Sequence, residues 1–255
     1  MLKAVLFDLD QTLIDWDDVE PWEDYQFRRF EAVLDLVHAE MHPAENIEPG
    51  RMFAVFIEQS ARLWRECVAT MRSPHVVTMM QETLKECGVP EEHLNIDAVM
   101  NVYTSQLPHG QRIYPDVRDV LGELRDHGLE LGIITNAAHP MLYRDRELEA
   151  VGIMDLFPRC RISAADVGYL KPHRAIFDHA LRELSLDPAE AVFVGDSLTT
   201  DVEGSQGIGM YGVWLDRVQD EAQVITNDVI PDGTINSLYQ LLPLLDQWYP
   251  GWRGG

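Results

Sequence analysis

This 255-residue chain has few cysteines, few basic residues and no long apolar run, and each scarcity removes a class of protein. Its three cysteines, Cys67, Cys87 and Cys160, lie far apart and in no metal-ligand spacing. So sparse and odd a set argues against a disulfide framework and for a reducing compartment. Lys and Arg number 20 against 43 Asp and Glu, a formal net charge of −23. Such a field repels phosphate backbones and anionic lipids, so nucleic acids and membranes are not expected partners. No apolar run reaches the length of a membrane span. The opening MLKAVLFDLDQTL meets acids too early for a secretory leader, and the expected location is cytoplasmic.

What is present is an ordinary globular mixture, 46% hydrophobic and 25% charged, long enough for one large domain or a core with one insertion. Two textures divide it. Short apolar runs, apolar on both faces, occur at Lys3 to Leu9 (KAVLFDL), Leu129 to Thr135 (LELGIIT), Ala191 to Gly195 (AVFVG) and Gly209 to Leu215 (GMYGVWL). That pattern suits parallel strands covered on each side. Helical periodicity separates them. Asp116 to His127 carries Val117, Val120, Leu121 and Leu124 on one face, opens on an acidic cap and stops at Gly128. Pro172 to Leu184 carries Ile176, Phe177, Ala180, Leu181 and Leu184 likewise. Strand and helix alternating in this way predict a doubly wound, Rossmann-like parallel α/β sheet.

The second texture fills Ile14 to Gly110 with amphipathic helices, such as Trp22 to Ala39 and Arg51 to Met71, and no convincing strand. It reads as a helical cap, residues 15–110, inserted into a core of residues 1–14 and 111–255, with Pro108-His109-Gly110 as the return linker. A short strand at Gln223 to Thr226 and a terminal helix from Thr234 to Trp248 are expected to close the chain.

Ligands of open parallel sheets sit beyond the carboxyl ends of the strands. Asp8 and Asp10 follow the first run, Thr135 and Asn136 the second. Asp196 and Asp201 follow the third, and Lys171 precedes a helix start. Four carboxylates on one edge repel each other unless a cation sits among them. The donor types point to magnesium held by acids from two strand ends, with Lys171 and Thr135 gripping phosphate oxygens. One carboxylate is then free to act as a nucleophile. The acidic excess would otherwise repel a phosphorylated substrate, so this local positive charge is needed.

FDLDQT, ITN, GYLKPHRAIF and VFVGDSLTTDVEG stand in the order and spacing of the four motifs of the haloacid dehalogenase superfamily, which the whole chain resembles. The helical block resembles the cap of the type-I-capped phosphatase branch. The resemblance implies a magnesium-dependent phosphoric monoester hydrolase acting on a small phosphorylated metabolite through an aspartyl-phosphate. It makes Asp8 the nucleophile, and Asp10 the general acid and base whose backbone carbonyl also binds the metal. Thr135, Asn136 and Lys171 become phosphate-binding residues, Asp196 the second side-chain metal ligand and Asp201 a support. Dehalogenases of the family lack an acid at the place of Asp10, because halide leaves without a proton. Gln11 departs from the glycine or asparagine commoner there. A phosphomutase of the same fold is the alternative, ahead of a dehalogenase or a non-catalytic binding protein.

Other residues have plainer readings. Asp196 and Asp201 could cap a helix over Leu198 to Gly204; His173 suits a first helical turn, and His139 follows ITN near the crevice. His38 and His42, four apart without further ligands, suit solvent; Trp16, Trp22 and Trp64 suit packing, and Cys160 a core strand.

Overall fold

The computed structural model describes residues 1–43, 46–218 and 228–254. β1 (Ala4–Phe7) buries all four side chains. Val5 and Phe7 join one apolar cluster and Ala4 and Leu6 another, the period-two alternation of a strand covered on both faces. After β2 (Ile14–Asp15) come α1 (Trp22–Leu36), prolonged by a π-helical turn over Val37–Met41, then α2 (Pro49–Val68), α3 (Val76–Glu86) and α4 (Ile96–Ser105). β3 (Arg112–Ile113) returns antiparallel to β2, with Ile14 opposite Ile113 and Asp15 opposite Arg112. The four helices thus leave and rejoin the remaining chain through one two-stranded neck. At the neck Gly110 has φ +87° and packs on the Asp18 carbonyl, where a Cβ would collide.

The rest alternates: α5 (Val117–Asp126), β4 (Glu130–Thr135), α6 (Met141–Ala150), β5 (Cys160–Ser163), α7 (Ala164–Val167), α8 (Arg174–Leu184) and β6 (Ala191–Gly195). A π-helical turn over Leu198–Val202 runs into α9 (Glu203–Gln206), followed by β7 (Tyr211–Leu215), β8 (Gly233–Ile235) and α10 (Leu241–Trp248). The six-stranded sheet has the order β5-β4-β1-β6-β7-β8, every pair parallel. One face is covered by α5 and α10 through Val120, Leu121, Leu124, Leu241 and Leu245; α8 covers the other through Ile176, Phe177 and Leu181. This is the doubly wound α/β architecture expected from the alternating texture.

The four helices between β2 and β3 have their own apolar cluster, with Phe30, Met52, Phe56, Met80, Leu84, Met100 and Tyr103 buried in it. They also bond to loops beyond the sheet. Val76 N donates to the Ala138 carbonyl (2.8 Å), Ser73 N to the Gly168 carbonyl (3.1 Å), and Leu170 N to the Met71 carbonyl (2.9 Å).

Several expectations need correcting. The terminal helix does not start at Thr234: Thr234 and Ile235 extend the sheet beside Trp214 and Leu215. Both are β-branched, and the open edge of β7 offers backbone partners that a helix there would forgo. Ser237 then caps the helical turn Leu238–Gln240, and the apolar stripe Leu238, Leu241, Leu242 and Leu245 is used as expected. Cys160 does lie buried in a core strand, as expected, but that strand, Cys160–Ser163, is absent from the four apolar runs because half-buried Arg161, paired with Asp145, breaks its pattern. His173 is the residue before α8, its Nδ1 accepting from Ala175 N, not a member of the first turn. The Gln223 to Thr226 strand lies outside the described residues.

Asp116 does precede α5, but its carboxylate does not cap it. It accepts both guanidinium nitrogens of Arg217 (3.1 and 2.9 Å), the Ser237 hydroxyl (2.7 Å) and Leu238 N (2.7 Å), while Arg217 also donates to the Thr12 carbonyl (3.0 Å). A buried carboxylate with four donors ties the chain after β1 to the start of the last helical segment. Burial alone would raise its pKa, but the bonds from Arg217 and Ser237 outweigh that and hold it below the usual carboxylate range. Asp116→Ala is expected to cost about 3–5 kcal/mol in urea unfolding, because it strands a half-buried Arg217. A depressed folded pKa contributes stability that is present above the unfolded value of about 3.9 and lost as pH falls through the lower folded value. The difference between wild type and variant should therefore shrink under acid; a difference constant down to pH 2 would rule out this ion pair as its source.

Candidate active site

The site begins where β1 ends. Asp8 N still donates to the Val194 carbonyl (2.9 Å), and then the chain turns sharply, with Leu13 N and Ile14 N both on the Leu9 carbonyl. Gln11 takes φ +60° in this turn, a conformation that costs a non-glycine residue about 1–2 kcal/mol. Its side chain accepts the Tyr114 hydroxyl at 2.7 Å. The geometry explains why glycine or asparagine would be easier there. The turn lets Asp8 and Asp10 both face the crevice.

Lys171 is 3% exposed, and its ammonium lies 2.7 Å from both Asp8 Oδ1 and Asp201 Oδ1. Burial would lower its pKa, but Asp201 and Asp8 more than compensate and hold it charged. Asn136, after β4, receives Lys171 N on Oδ1 (2.6 Å) and donates Nδ2 to the Lys171 carbonyl (3.1 Å). Both ends of the Asn136 side-chain amide therefore fix the Lys171 backbone. Thr135, buried at the end of β4, places Oγ1 3.5 Å from Asp10 Oδ2.

Past β6, Ser197 N donates to Asp201 Oδ2 (3.0 Å), and Ser197 Oγ accepts Thr200 N (3.3 Å). The cap of this turn is thus Ser197, and Asp201 points back under the strand end. Gly195 makes room for it, since a Cβ there would overlap the Asp201 carboxylate. Among the described residues, carboxylate oxygens of Asp8, Asp196 and Asp201 all lie within 4.8 Å of one another. Burial raises the Asp8 pKa well above its ordinary value; Lys171 opposes the shift, while Asp201, Asp196 and Asp10 add to it. Burial and Asp201 push Asp196 up to about 6. Even with Lys171 present the cluster lacks positive charge, and its donors are hard oxygens, the combination that fits a small divalent cation.

A cavity of about 270 Å³ opens onto this group, lined by Asp8, Asp10, Gln11, Thr135, Asn136, Lys171, Asp196, Thr200 and Asp201. Every site residue named from the sequence lines it. Sequence reasoning missed Arg144, on α6, which donates to Asp10 Oδ2 (3.1 Å) and Oδ1 (2.8 Å). Burial would raise Asp10, but Arg144 and the Trp16 indole (3.0 Å) hold it below the usual range. The available signal was a charge at a core-facing position: Arg144 stands three residues after buried Met141 and four before buried Leu148. Trp16 packs against the apolar cluster of the sheet, as expected, and its indole also reaches Asp10.

The remaining candidates lie elsewhere. His139 stacks on Tyr103 (6.2 Å, 5°), and burial, with Arg29 and Arg144 adding, keeps it neutral. His173 stacks on Tyr169 at 4.1 Å. His38 Nε2 accepts Ile47 N, and His42 meets the ring of His93 edge-on. Trp64 packs between two clusters and Trp22 is exposed. Cys160 is buried, its thiol pushed up to about 12 by burial first and the Glu183 charge second, so it is inert.

Comparison with known proteins bears on this geometry. A sequence model of the haloacid dehalogenase-like hydrolases matches residues 2–209. Glyceraldehyde 3-phosphate phosphatase of Methanopyrus kandleri is 30% identical over 247 residues, covering 96% of this chain and 97% of that protein. N-acylneuraminate-9-phosphatase of Rattus norvegicus is 25% identical, covering 96% and 94%. Among solved structures, a 2-haloacid dehalogenase from Pseudomonas syringae pv. Tomato superposes with TM-score 0.68 at 27% identity, covering 97% and 100%. A haloacid dehalogenase-type phosphatase from Thermococcus onnurineus gives 0.59 at 25% identity, covering 96% and 98%. With the matched region running from β1 through β6 and the motif residues gathered at the crevice, the chain belongs to the haloacid dehalogenase-like hydrolases.

Proposed function

We propose that this hydrolase cleaves phosphomonoesters of small metabolites, with Asp8 as nucleophile, Asp10 as general acid and base, and magnesium as cofactor. The observation that carries the reading is the buried Lys171 ammonium, 2.7 Å from both Asp8 and Asp201, beside an all-oxygen donor cluster. The acid at position 10 favours a leaving group that needs a proton over a halide. Similarity to phosphatases along nearly the whole chain supports the same class.

An Asp8 oxygen attacks phosphorus and the bond to the ester oxygen breaks, the departing oxygen taking a proton from Asp10. Asp10, now a carboxylate, removes a proton from water, which attacks the aspartyl-phosphate and releases phosphate, restoring Asp8. Lys171 and Thr135 hold the phosphoryl oxygens throughout. Magnesium, held by Asp8, Asp196 and the Asp10 carbonyl, would supply the positive charge that offsets the phosphoryl oxygens. Arg144 and Trp16, by holding Asp10 below the usual carboxylate range against burial, favour the carboxylate form that the second half-reaction uses. The helices of residues 15–110 act as a cap that excludes water, and the fold lacks, among its described residues, any helix long and apolar enough to cross a membrane.

The test is turnover of para-nitrophenyl phosphate and of a panel including glyceraldehyde 3-phosphate, phosphoserine and an N-acylneuraminate 9-phosphate, with magnesium or with EDTA. Activity should require the metal. Independently of activity, magnesium at about 100 times its Kd should raise Tm by roughly 5–10 °C, and Asp196→Asn should remove the shift. A Tm indifferent to magnesium in wild type would discard the metal assignment.

A further inference from the structure

Asp10 is set apart from the other acids of the site. Among the described residues the converging oxygens belong to Asp8, Asp196 and Asp201, and the Asp10 carboxylate is not one of them. It is gripped from another direction. Arg144 Nη2 and the Trp16 indole both donate to Oδ1 (2.8 and 3.0 Å), and Arg144 Nη1 donates to Oδ2 (3.1 Å), with Thr135 Oγ1 at 3.5 Å. A guanidinium that takes both oxygens in parallel fixes the plane of a carboxylate, which a single contact does not.

The guanidinium is itself held. Arg144 has a side chain only 8% exposed, and its Nε lies 3.1 Å from Glu147 Oε1, one turn along α6, an ion-pair contact without hydrogen-bond geometry. Glu147 Oε2 in turn accepts Gln111 Nε2 at 3.1 Å, next to β3 in the neck. The fork onto Asp10, with Glu147 packed against the other edge of the guanidinium, restricts the directions this buried cation can take. A purely structural pin between α6 and the turn after β1 would need neither the fork nor the brace, and would be replaced by apolar packing at little cost.

We propose that Arg144 is a positioning residue whose two-pronged hold on Asp10, braced by Glu147, sets the plane in which that carboxyl exchanges its proton with the ester oxygen and with water. The role rests on the phosphomonoesterase reading above. It matters most where the leaving oxygen is a poor one. An alkoxide cannot depart without a well-aimed proton, whereas para-nitrophenolate can. A misplacement of about 1 Å in such a group costs on the order of 10²-fold.

The experiment compares kcat and KM for para-nitrophenyl phosphate and for an alkyl phosphate that wild type hydrolyses, in wild type, Arg144→Met, Arg144→Lys and Glu147→Gln. Arg144→Met should lower kcat on the alkyl ester about 10²-fold, at least ten times more than on the aryl ester, with both KM values within about threefold. Arg144→Lys should resemble Arg144→Met, since a point charge does not orient a carboxylate. Glu147→Gln keeps the shape of the brace and should show the same preference at smaller size, which covers the case in which the Arg144 variants do not fold. Equal losses on both esters, full rescue by lysine, or a loss carried by KM would overturn the positioning role while leaving the phosphatase intact. A wild type that splits only aryl esters overturns it as well, because no proton is then being delivered. A wild type inert on both esters brings down the phosphatase reading and this proposal with it.

Discussion

Asp8→Asn is expected to reduce turnover of para-nitrophenyl phosphate by at least about 10⁴-fold, the scale on which loss of a covalent nucleophile shows itself. The substitution keeps the size of the side chain and leaves Lys171 its second partner, Asp201 at 2.7 Å. It should not cost stability. Burial, opposed by Lys171 but reinforced by Asp201 and Asp196, raises the Asp8 pKa, so the ionised form is disfavoured in the folded state. A carboxyl with a raised folded pKa withdraws stability as pH climbs through its unfolded value, and a neutral amide removes that penalty. The variant should therefore unfold in urea at or above the wild-type midpoint at pH 7, and its circular dichroism should be unchanged. Loss of activity with loss of fold would say nothing about the nucleophile. Retention of a tenth or more of wild-type activity in the folded variant would remove Asp8 from that role.

The fold was legible where local pattern and tertiary demand agree. β1, β4, β6 and β7 bury both faces, so composition alone marks them. In α8 all five residues assigned to the apolar face are buried. Reading failed where a partner distant in sequence decides the outcome. Thr234 and Ile235 become a strand because β7 offers an edge, and Asp116 leaves its helix to meet Arg217, 101 residues away. The candidate site divides in the same way. Asp8, Asp10, Thr135, Lys171, Asp196 and Asp201 stand at strand ends or in motifs, and topology carries such residues to one edge. Arg144 belongs to no motif. It reaches Asp10 across 134 residues, from the middle of a helix with little amphipathic contrast, where a single charge at a buried position was the whole signal. Asn136 shows a subtler limit: its place in the crevice was legible, but the use of its amide on the Lys171 backbone was not.

Lys171→Met is expected to lower turnover by about 10³-fold or more, since it removes the charged donor aimed at the reacting phosphoryl group. Its effect on stability is the more discriminating result. Methionine fills a similar volume but leaves Asp8, Asp196 and Asp201, with oxygens within 4.8 Å of each other, without the ammonium that separates them. Stranding buried charges in this way costs about 3–5 kcal/mol in the absence of a divalent cation. Two changes should then restore stability by independent routes. Adding Asp8→Asn to Lys171→Met removes one of the repelling charges, so it should stabilise Lys171→Met by more than it stabilises wild type, a coupling beyond simple additivity. Adding magnesium should stabilise Lys171→Met more than it stabilises wild type, because the ion no longer competes with the ammonium for the same oxygens. Urea titrations of the four proteins, each with magnesium and with EDTA, separate these terms. If Lys171→Met is as stable as wild type in EDTA and neither change improves it, the carboxylates are kept apart by something other than Lys171, and its place between Asp8 and Asp201 is incidental to the site.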